Sequence, residues 1–213
     1  MKPELYGISI VLLGNFNPKI FQPAWFASQN LIRKIEAEKA KIEIIHSDIT
    51  IFNLEWLKIE VTRERVNIAT EQEPYFEALV DFVIGAFRIL KHTPISKMGI
   101  NSTLHYSVKS IDAWHKIGHR LAPKEPWKGI LNKPGMLRVE MEDERLSGPK
   151  GFTRVRVEPS RLIDPGIFVN VNDHFESAEV EPTSGSEAII DILEENWLSS
   201  IKKSKSIAEK ICQ

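Results

Sequence analysis

Three polar residues at helical spacing, Asp112, His115 and His119, are the first candidates for chemistry. At about 100° per residue they cluster in one sector of a helix. Two histidines four residues apart on one helix face can hold Zn²⁺ or Ni²⁺, and a carboxylate can be the third ligand. The residues between the histidines lack the glutamate of the zincin hydrolase motif, so the pattern also fits an ordinary polar helix flank. The sequence favours the flank, and a metal-dependent hydrolase is one alternative function.

Two strand ends carry polar clusters that could pair a general base with a carboxylate that orients it. They are His46 with Asp48, and Asn170, Asn172, Asp173 and His174. Asp and Asn at strand ends are more commonly turn formers. The chain has neither a nucleophile elbow nor a phosphate-binding glycine loop. The sequence therefore favours a non-enzymatic protein without a cofactor.

A third set of side chains falls on one face of a predicted sheet, opposite the aliphatic residues that would face helices. The candidate binding residues on this face are Arg138, Phe152, Arg154, Arg156, Phe168, Asn170 and Asn172. Such side chains on a curved sheet suit nucleic acid, through stacking, wedging and base-edge hydrogen bonds. The glutamates that would share the face and repel phosphates are Glu60, Glu140, Glu142 and Glu158. A protein-binding or simply solvated face is therefore favoured, and nucleic acid is the second alternative.

The segment Tyr75–Leu90 predicts a helix that is apolar on nearly all sides, with Glu77, Asp81 and Arg88 in one narrow polar stripe. A surface helix is normally apolar on one side only. This helix must therefore be covered by a sheet and by another helix or a second subunit. Together with the Trp- and Ile-containing C-terminal helix, it predicts a homodimer. Packing of the helices of one chain on each other is the alternative.

The rest of the pattern alternates between strands and helices. A strand at Leu5–Gly14 precedes a helix at Pro23–Lys39, and period-two alternation predicts antiparallel strands between Lys41 and Thr70. The later elements are a strand at Lys97–Tyr106, a helix capped by Ser110, strands around Leu137–Met141, Thr153–Val157 and Ile167–Val171, and a long helix whose capping box is Ser184 with Glu187.

These elements follow one order twice, namely strand, helix, antiparallel strands and helix. We interpret residues 1–94 and 95–213 as two α+β repeats, and a chance likeness of the two halves is the alternative. The matched positions are Ala24-Trp25 with Ala113-Trp114, and Ile8 and Ile10 with Met98 and Ile100. The halves would share one curved antiparallel sheet with helices on one face, or pack as one globular unit. The shared sheet would have the saddle topology of TATA-binding proteins, an analogy of fold and not of function.

The segment Tyr75–Tyr106 resembles a family of uncharacterised bacterial proteins that is scattered sporadically among genomes. In that family an aromatic helix that begins at a tyrosine is followed by a strand reading Gly-Leu-Arg-Tyr-hydrophobic-Asn. Here Tyr75-Phe76 begins the helix, and Gly99-Ile100-Asn101 with Leu104-His105-Tyr106 matches the strand in part. The resemblance implies a bacterial origin and no particular activity.

Composition sets broad limits on the function. The 213 residues carry a net charge of −1, with 42% hydrophobic and 27% charged residues, which is ordinary for a folded soluble protein. This balance implies no general attraction to phosphate backbones or anionic lipids. The single cysteine, Cys212, excludes an intramolecular disulfide, and the apolar run Ile8–Leu13 is too short to span a membrane. We expect a cytoplasmic protein with an unidentified protein partner and no membrane association.

Overall fold

The computed structural model describes residues 2–177 and 185–213 and has an α+β fold, as the sequence predicts. One antiparallel sheet contains the nine strands of these ranges: β1 (Leu5–Gly14), β2 (Lys41–Ile45), β3 (Ile49–Asn53), β4 (Lys58–Thr62), β5 (Arg65–Thr70), β6 (Ile95–Ser107), β7 (Val139–Glu144), β8 (Gly151–Pro159) and β9 (Gly166–Glu176). The helices are α1 (Pro23–Ser28), α2 (Lys34–Glu38), α3 (Phe76–Ile89), α4 (Ile111–Leu121) and α5 (Glu187–Cys212).

The first strands of the two halves of the chain lie side by side in the middle of the sheet. The strand order is β2-β3-β4-β5-β1-β6-β9-β8-β7, so β1 pairs with β5 on one side and with β6 on the other. Ile10 of β1 lies directly opposite Ile100 of β6. The sheet is therefore continuous across the two halves, and its edge strands are β2 and β7.

The hydrophobic core lies between one face of the sheet and the helices. Alternate residues of the central strands, such as Ile10, Ile100 and Val171, are buried on this face. There α5 packs on β9 and β6, and α3 packs on β5 and on α5. The Phe26 ring of α1 lies 4.8 Å, between ring centres, from the Phe82 ring of α3. This layering follows from the period-two pattern, which separates the apolar from the polar residues of each strand.

Helix α3 is covered within a single chain. Seven of its side chains are buried, and the Trp197 indole of α5 donates a hydrogen bond to Glu77 Oε1 at 3.2 Å. Arg88 of α3 pairs with Glu194 of α5. Because the apolar surface that suggested a second subunit is largely covered by the sheet and α5, the homodimer stays a prediction without support from this helix.

The predicted helix Pro23–Lys39 is wrong in one respect, because the chain forms two short helices there. Asn30 adopts a left-handed conformation (φ 57°) after α1, and this conformation ends a helix. The Arg33 amide then donates a hydrogen bond to Glu36 Oε2 at 2.8 Å at the start of α2. The break turns Ile32 inward, where its side chain is buried.

Three further sequence predictions concern the start of β7 and the caps of two helices. Leu137 belongs to the predicted strand but lies outside the observed one, because β7 begins at Val139, and its side chain is 86% exposed. Pro134 and Gly135 precede it in a segment without strand pairing. The predicted capping role of Ser184 lies outside the described residues. Ser110 caps α4 as predicted, since its Oγ accepts a hydrogen bond from the Ala113 amide at 3.2 Å.

A buried polar cluster holds α5 on the sheet. Asp173 of β9 is 2% exposed, and its carboxylate accepts hydrogen bonds from Ser200 of α5 (2.6 Å), from Thr153 of β8 (3.1 Å) and from Arg145. Lys203 of α5 donates a hydrogen bond to the Thr153 hydroxyl at 2.6 Å. These bonds fix the position of α5 relative to β8 and β9.

In residues 2–177 and 185–213 no helix, α5 included, has both the length and the apolar character needed to cross a membrane.

Candidate binding face

The face of the sheet that points away from the helices, here called the open face, carries the polar side chains of alternate strand positions. Its centre is a shallow cavity of about 510 Å³ formed by β5, β1, β6, β9 and β8. The amide and hydroxyl side chains that line this cavity are Ser9, Asn67, Asn101, Thr103, Asn170 and Asn172. Side-chain amides carry both donors and acceptors of hydrogen bonds. The cavity is therefore a polar surface with a mixed hydrogen-bonding capacity.

Strand register arranges these side chains in rows across the sheet. Asn101 of β6 lies opposite Asn172 of β9, and Asn172 lies opposite Arg154 of β8. The next row runs from Thr103 through Asn170 to Arg156. Because neighbouring strands are about 4.8 Å apart, each row is a continuous line of polar groups at right angles to the strands.

The amides are only partly engaged by the protein itself. Asn170 Nδ2 donates to the Ser102 carbonyl and to Thr103 Oγ1, both at 3.3 Å, and Asn101 Nδ2 donates to the Gly99 carbonyl at 3.4 Å. Asn172 Oδ1 is sheltered from solvent and has no hydrogen-bond partner among the described residues. Gly99 leaves room for that oxygen, because an added Cβ would come within 3.0 Å of it.

The arginines of the open face are paired with carboxylates. Arg154 Nε donates to Glu142 Oε2 at 2.9 Å, and Arg156 Nε lies 3.4 Å from Glu158 Oε1. On the other side of the cavity Arg65 lies 4.0 Å from Glu60. Each flank of the amide rows therefore presents both signs of charge.

Aromatic rings complete the β8–β9 side of the open face. The Phe152 ring stacks on the His174 ring with centres 4.4 Å apart, and the Arg154 guanidinium lies 4.8 Å from the Phe152 ring centre. The Arg156 guanidinium lies 5.3 Å from the Phe168 ring centre. Burial lowers the pKa of His174, with the Lys97 and Arg154 charges acting in the same direction against the carboxylate of Glu176. The imidazole is therefore neutral near pH 7.

The structure brings most of the predicted face residues together. Strands β8 and β9 supply Phe152, Arg154, Arg156, Phe168, Asn170 and Asn172, all at alternate positions. Arg138 lies just before β7, where its Nε is 3.6 Å from Glu140. Sequence reasoning missed the contribution of β6, Asn101 and Thr103. No clear signal was present, because Asn101, Ser102 and Thr103 are consecutive polar residues and do not alternate with aliphatic residues as those of β9 do.

The predicted metal ligands lie elsewhere, on α4. His115 and His119 are one turn apart with ring centres separated by 6.0 Å, and Asp112 lies in the first turn of the helix. No three His, Cys, Asp or Glu side chains within residues 2–177 and 185–213 are arranged so that they could hold a metal ion. Asp112, His115 and His119 therefore do not form such a group.

The two predicted acid–base clusters differ in their geometry. Asp173 and His174 cannot act as a pair, because consecutive residues of a strand point to opposite faces and Asp173 is bonded to α5. His46 Nδ1 lies 3.3 Å from Asp48, but both side chains are more than half exposed and Asp48 also binds Arg63. This second cluster has the geometry of a surface ion pair.

No protein-family model matches the chain, and the search of curated proteins gives no match.

Proposed function

We propose that this protein is a non-enzymatic binding protein that holds an extended polypeptide segment of a partner protein on its open face. The observation that carries the proposal is the uncovered line of asparagine amides along the floor of the central cavity. Every residue of a polypeptide other than proline offers one N–H donor and one C=O acceptor. Side-chain amides complement both groups, so a row of them fits a main chain of any sequence.

The dimensions of the site suit a short peptide. The central cavity extends over five strands, from β5 to β8, a span of about 19 Å at about 4.8 Å per strand spacing. An extended chain advances about 3.3 Å per residue, so about six residues fit across the face. The paired charges at the flanks, Arg65 with Glu60 and Arg154 with Glu142, can meet partner side chains of either sign.

Nucleic acid remains the competing proposal, supported by the arginine–aromatic pairs Arg154 with Phe152 and Arg156 with Phe168. The carboxylates argue against it. Arg65, Arg154 and Arg156 each lie within 4.0 Å of a glutamate that would repel a phosphate. A phosphate-binding surface normally has a net positive patch. The described residues of the open face form no such patch, because these arginines are paired with glutamates.

We further propose that residues 1–94 and 95–213 are two repeats whose shared sheet curves into a saddle, like that of TATA-binding proteins. In each half the first strand pairs with the last, β1 with β5 and β6 with β9. A helix, α3 or α5, comes next along the chain in both halves. Ile10 and Ile100, which the repeat alignment matches, lie opposite each other, as a twofold axis between β1 and β6 requires. We also propose that the protein is cytoplasmic and that it forms a homodimer.

Selection from a displayed library of random peptides tests the proposed function. Peptides that bind the wild-type protein are measured by fluorescence anisotropy against Asn101→Ala and Asn170→Ala. We expect about a five- to twelvefold loss of affinity, because each substitution removes hydrogen bonds worth about 1–1.5 kcal/mol. Asn196→Ala is the matched control, since this asparagine lies on α5 and donates to the Ile192 carbonyl.

Peptides that bind both open-face variants as tightly as the wild type would contradict the proposal, as would a selection that yields no peptide that binds the wild type. A labelled 20-nucleotide single strand and a 20-base-pair duplex form the second arm. Binding that weakens steeply with salt and disappears in Arg154→Glu would favour nucleic acid instead.

A further inference from the structure

A second cavity lies between α4, residues 132–136 and the adjoining ends of β8 and β9. Its volume is about 610 Å³. Small-molecule sites in proteins typically measure about 300–1,000 Å³ and are mostly apolar with a few polar groups. The cavity is separate from the proposed peptide site.

One wall of the cavity is apolar and fixed in position. Trp114 of α4 donates a hydrogen bond from its indole nitrogen to the Gly166 carbonyl at 2.9 Å, which sets the orientation of the ring. Met136 and Ile167 line the same cavity. A methionine side chain adapts to irregular apolar shapes. This wall can therefore accept the hydrocarbon part of a ligand without rearrangement of α4.

Gly118 keeps the helix side of the cavity open. An added Cβ at this position would meet no heavy atom within 4 Å. A glycine in a helix interior costs about 1 kcal/mol relative to alanine, so a packed helix would be more stable with a side chain here. The glycine instead leaves space where α4 lines the cavity.

The polar groups around the cavity are mainly basic. Lys124 and Lys133 line it together with the imidazoles of His115 and His119. Among the described lining residues one is acidic, Glu158, and its carboxylate lies 3.4 Å from Arg156. An anionic group at this rim would meet two ammonium groups and imidazole donors.

We infer that this cavity binds a small organic anion, a carboxylate or sulfonate with an apolar body. The apolar body lies against Trp114, Met136 and Ile167, in the space beside Gly118. The anionic group lies at the rim with Lys124 and Lys133. The inference does not depend on the peptide site, because the two cavities have no lining residue in common.

Fluorescence of 8-anilino-1-naphthalenesulfonate tests the inference, with octanoate and octan-1-ol as competitors. We expect saturable binding of the dye to the wild type and at least tenfold weaker binding to Gly118→Met, which places the side chain of a good helix former in the cavity. Lys116→Met is the matched control, since it places the same residue on the exposed side of α4. The open-face variant Asn101→Ala is expected to bind the dye as the wild type does.

The charge of the ligand is tested by the competitors. We expect octanoate to displace the dye at a concentration at least tenfold lower than octan-1-ol, and the double variant Lys124→Met/Lys133→Met to abolish this difference. This second measurement does not depend on whether Gly118→Met folds. Dye binding that is unchanged in a folded Gly118→Met protein would overturn the inference, because the dye would then lie on the exposed residues Trp127, Ile130 and Leu131. Equal displacement by acid and alcohol would also overturn it.

Discussion

Asp173 and His174 are consecutive residues of β9 with opposite surroundings, because one faces α5 and the other faces the open side of the sheet. The Asp173 carboxylate is buried and is bonded to Ser200, Thr153 and Arg145. Asp173→Ala removes the acceptor and leaves the Arg145 guanidinium, which is largely buried, without its partner. We expect the free energy of unfolding in urea to fall by about 3–5 kcal/mol. Asp81→Ala, at an exposed position of α3, is the control and should change it by less than about 0.5 kcal/mol. An equally small effect at Asp173 would show that the cluster does not anchor α5.

His174 makes stability depend on pH. Burial lowers its pKa in the folded protein, so the unfolded chain takes up a proton at a higher pH than the folded chain does. Stability is therefore fully present above the unfolded value of about 6.5 and is lost as the pH falls through the folded pKa. We expect the urea midpoint to decrease from pH 8 to pH 5.5 in the wild type, and to decrease less in His174→Gln. An unchanged dependence in His174→Gln would contradict the account.

At the scale of the element, α4 depends on a cap that the sequence makes visible. Ser110 Oγ accepts the Ala113 amide, one of the first-turn donors that have no partner within a helix. Ser110→Ala should lower the free energy of unfolding by about 1 kcal/mol, whereas Ser110→Asp should keep the cap and most of the stability. The free energy of unfolding of both variants is measured in urea and compared with that of the wild type. Equal losses in both would mean that the cap contributes nothing to α4.

The elements that could be predicted from the sequence are those with a regular period. Helix α3, strands β1, β6, β8 and β9 and the N-terminus of α4 all follow from spacing and capping residues. The break between α1 and α2 could not be predicted, because it depends on Asn30 adopting a left-handed conformation that turns Ile32 into the core. The start of β7 could not be predicted either, because it depends on where pairing with the neighbouring strand begins. Leu137 fits the alternating pattern, but pairing with β8 begins only at Val139.

At the scale of the whole molecule, alternation in each strand determines which side chains share a face, and this much could be read from the sequence. The contribution of Asn101 and Thr103 depends on β6 lying next to β9, which is a matter of long-range pairing. The α4 cavity likewise depends on how residues 132–136 lie against the sheet ends. Spacing along the chain contains no direct information about either contact.

The central claim is that a partner polypeptide lies on the open face, and side-chain amide NMR tests it most directly. A selected peptide is titrated into ¹⁵N-labelled protein, and the NH₂ signals of Asn67, Asn101, Asn170 and Asn172 are followed. The account predicts that these signals shift in a saturable manner, while those of Asn196 on α5 and Gln29 after α1 stay in place. Shifts of the Asn196 or Gln29 signals without shifts of the open-face amides would contradict it.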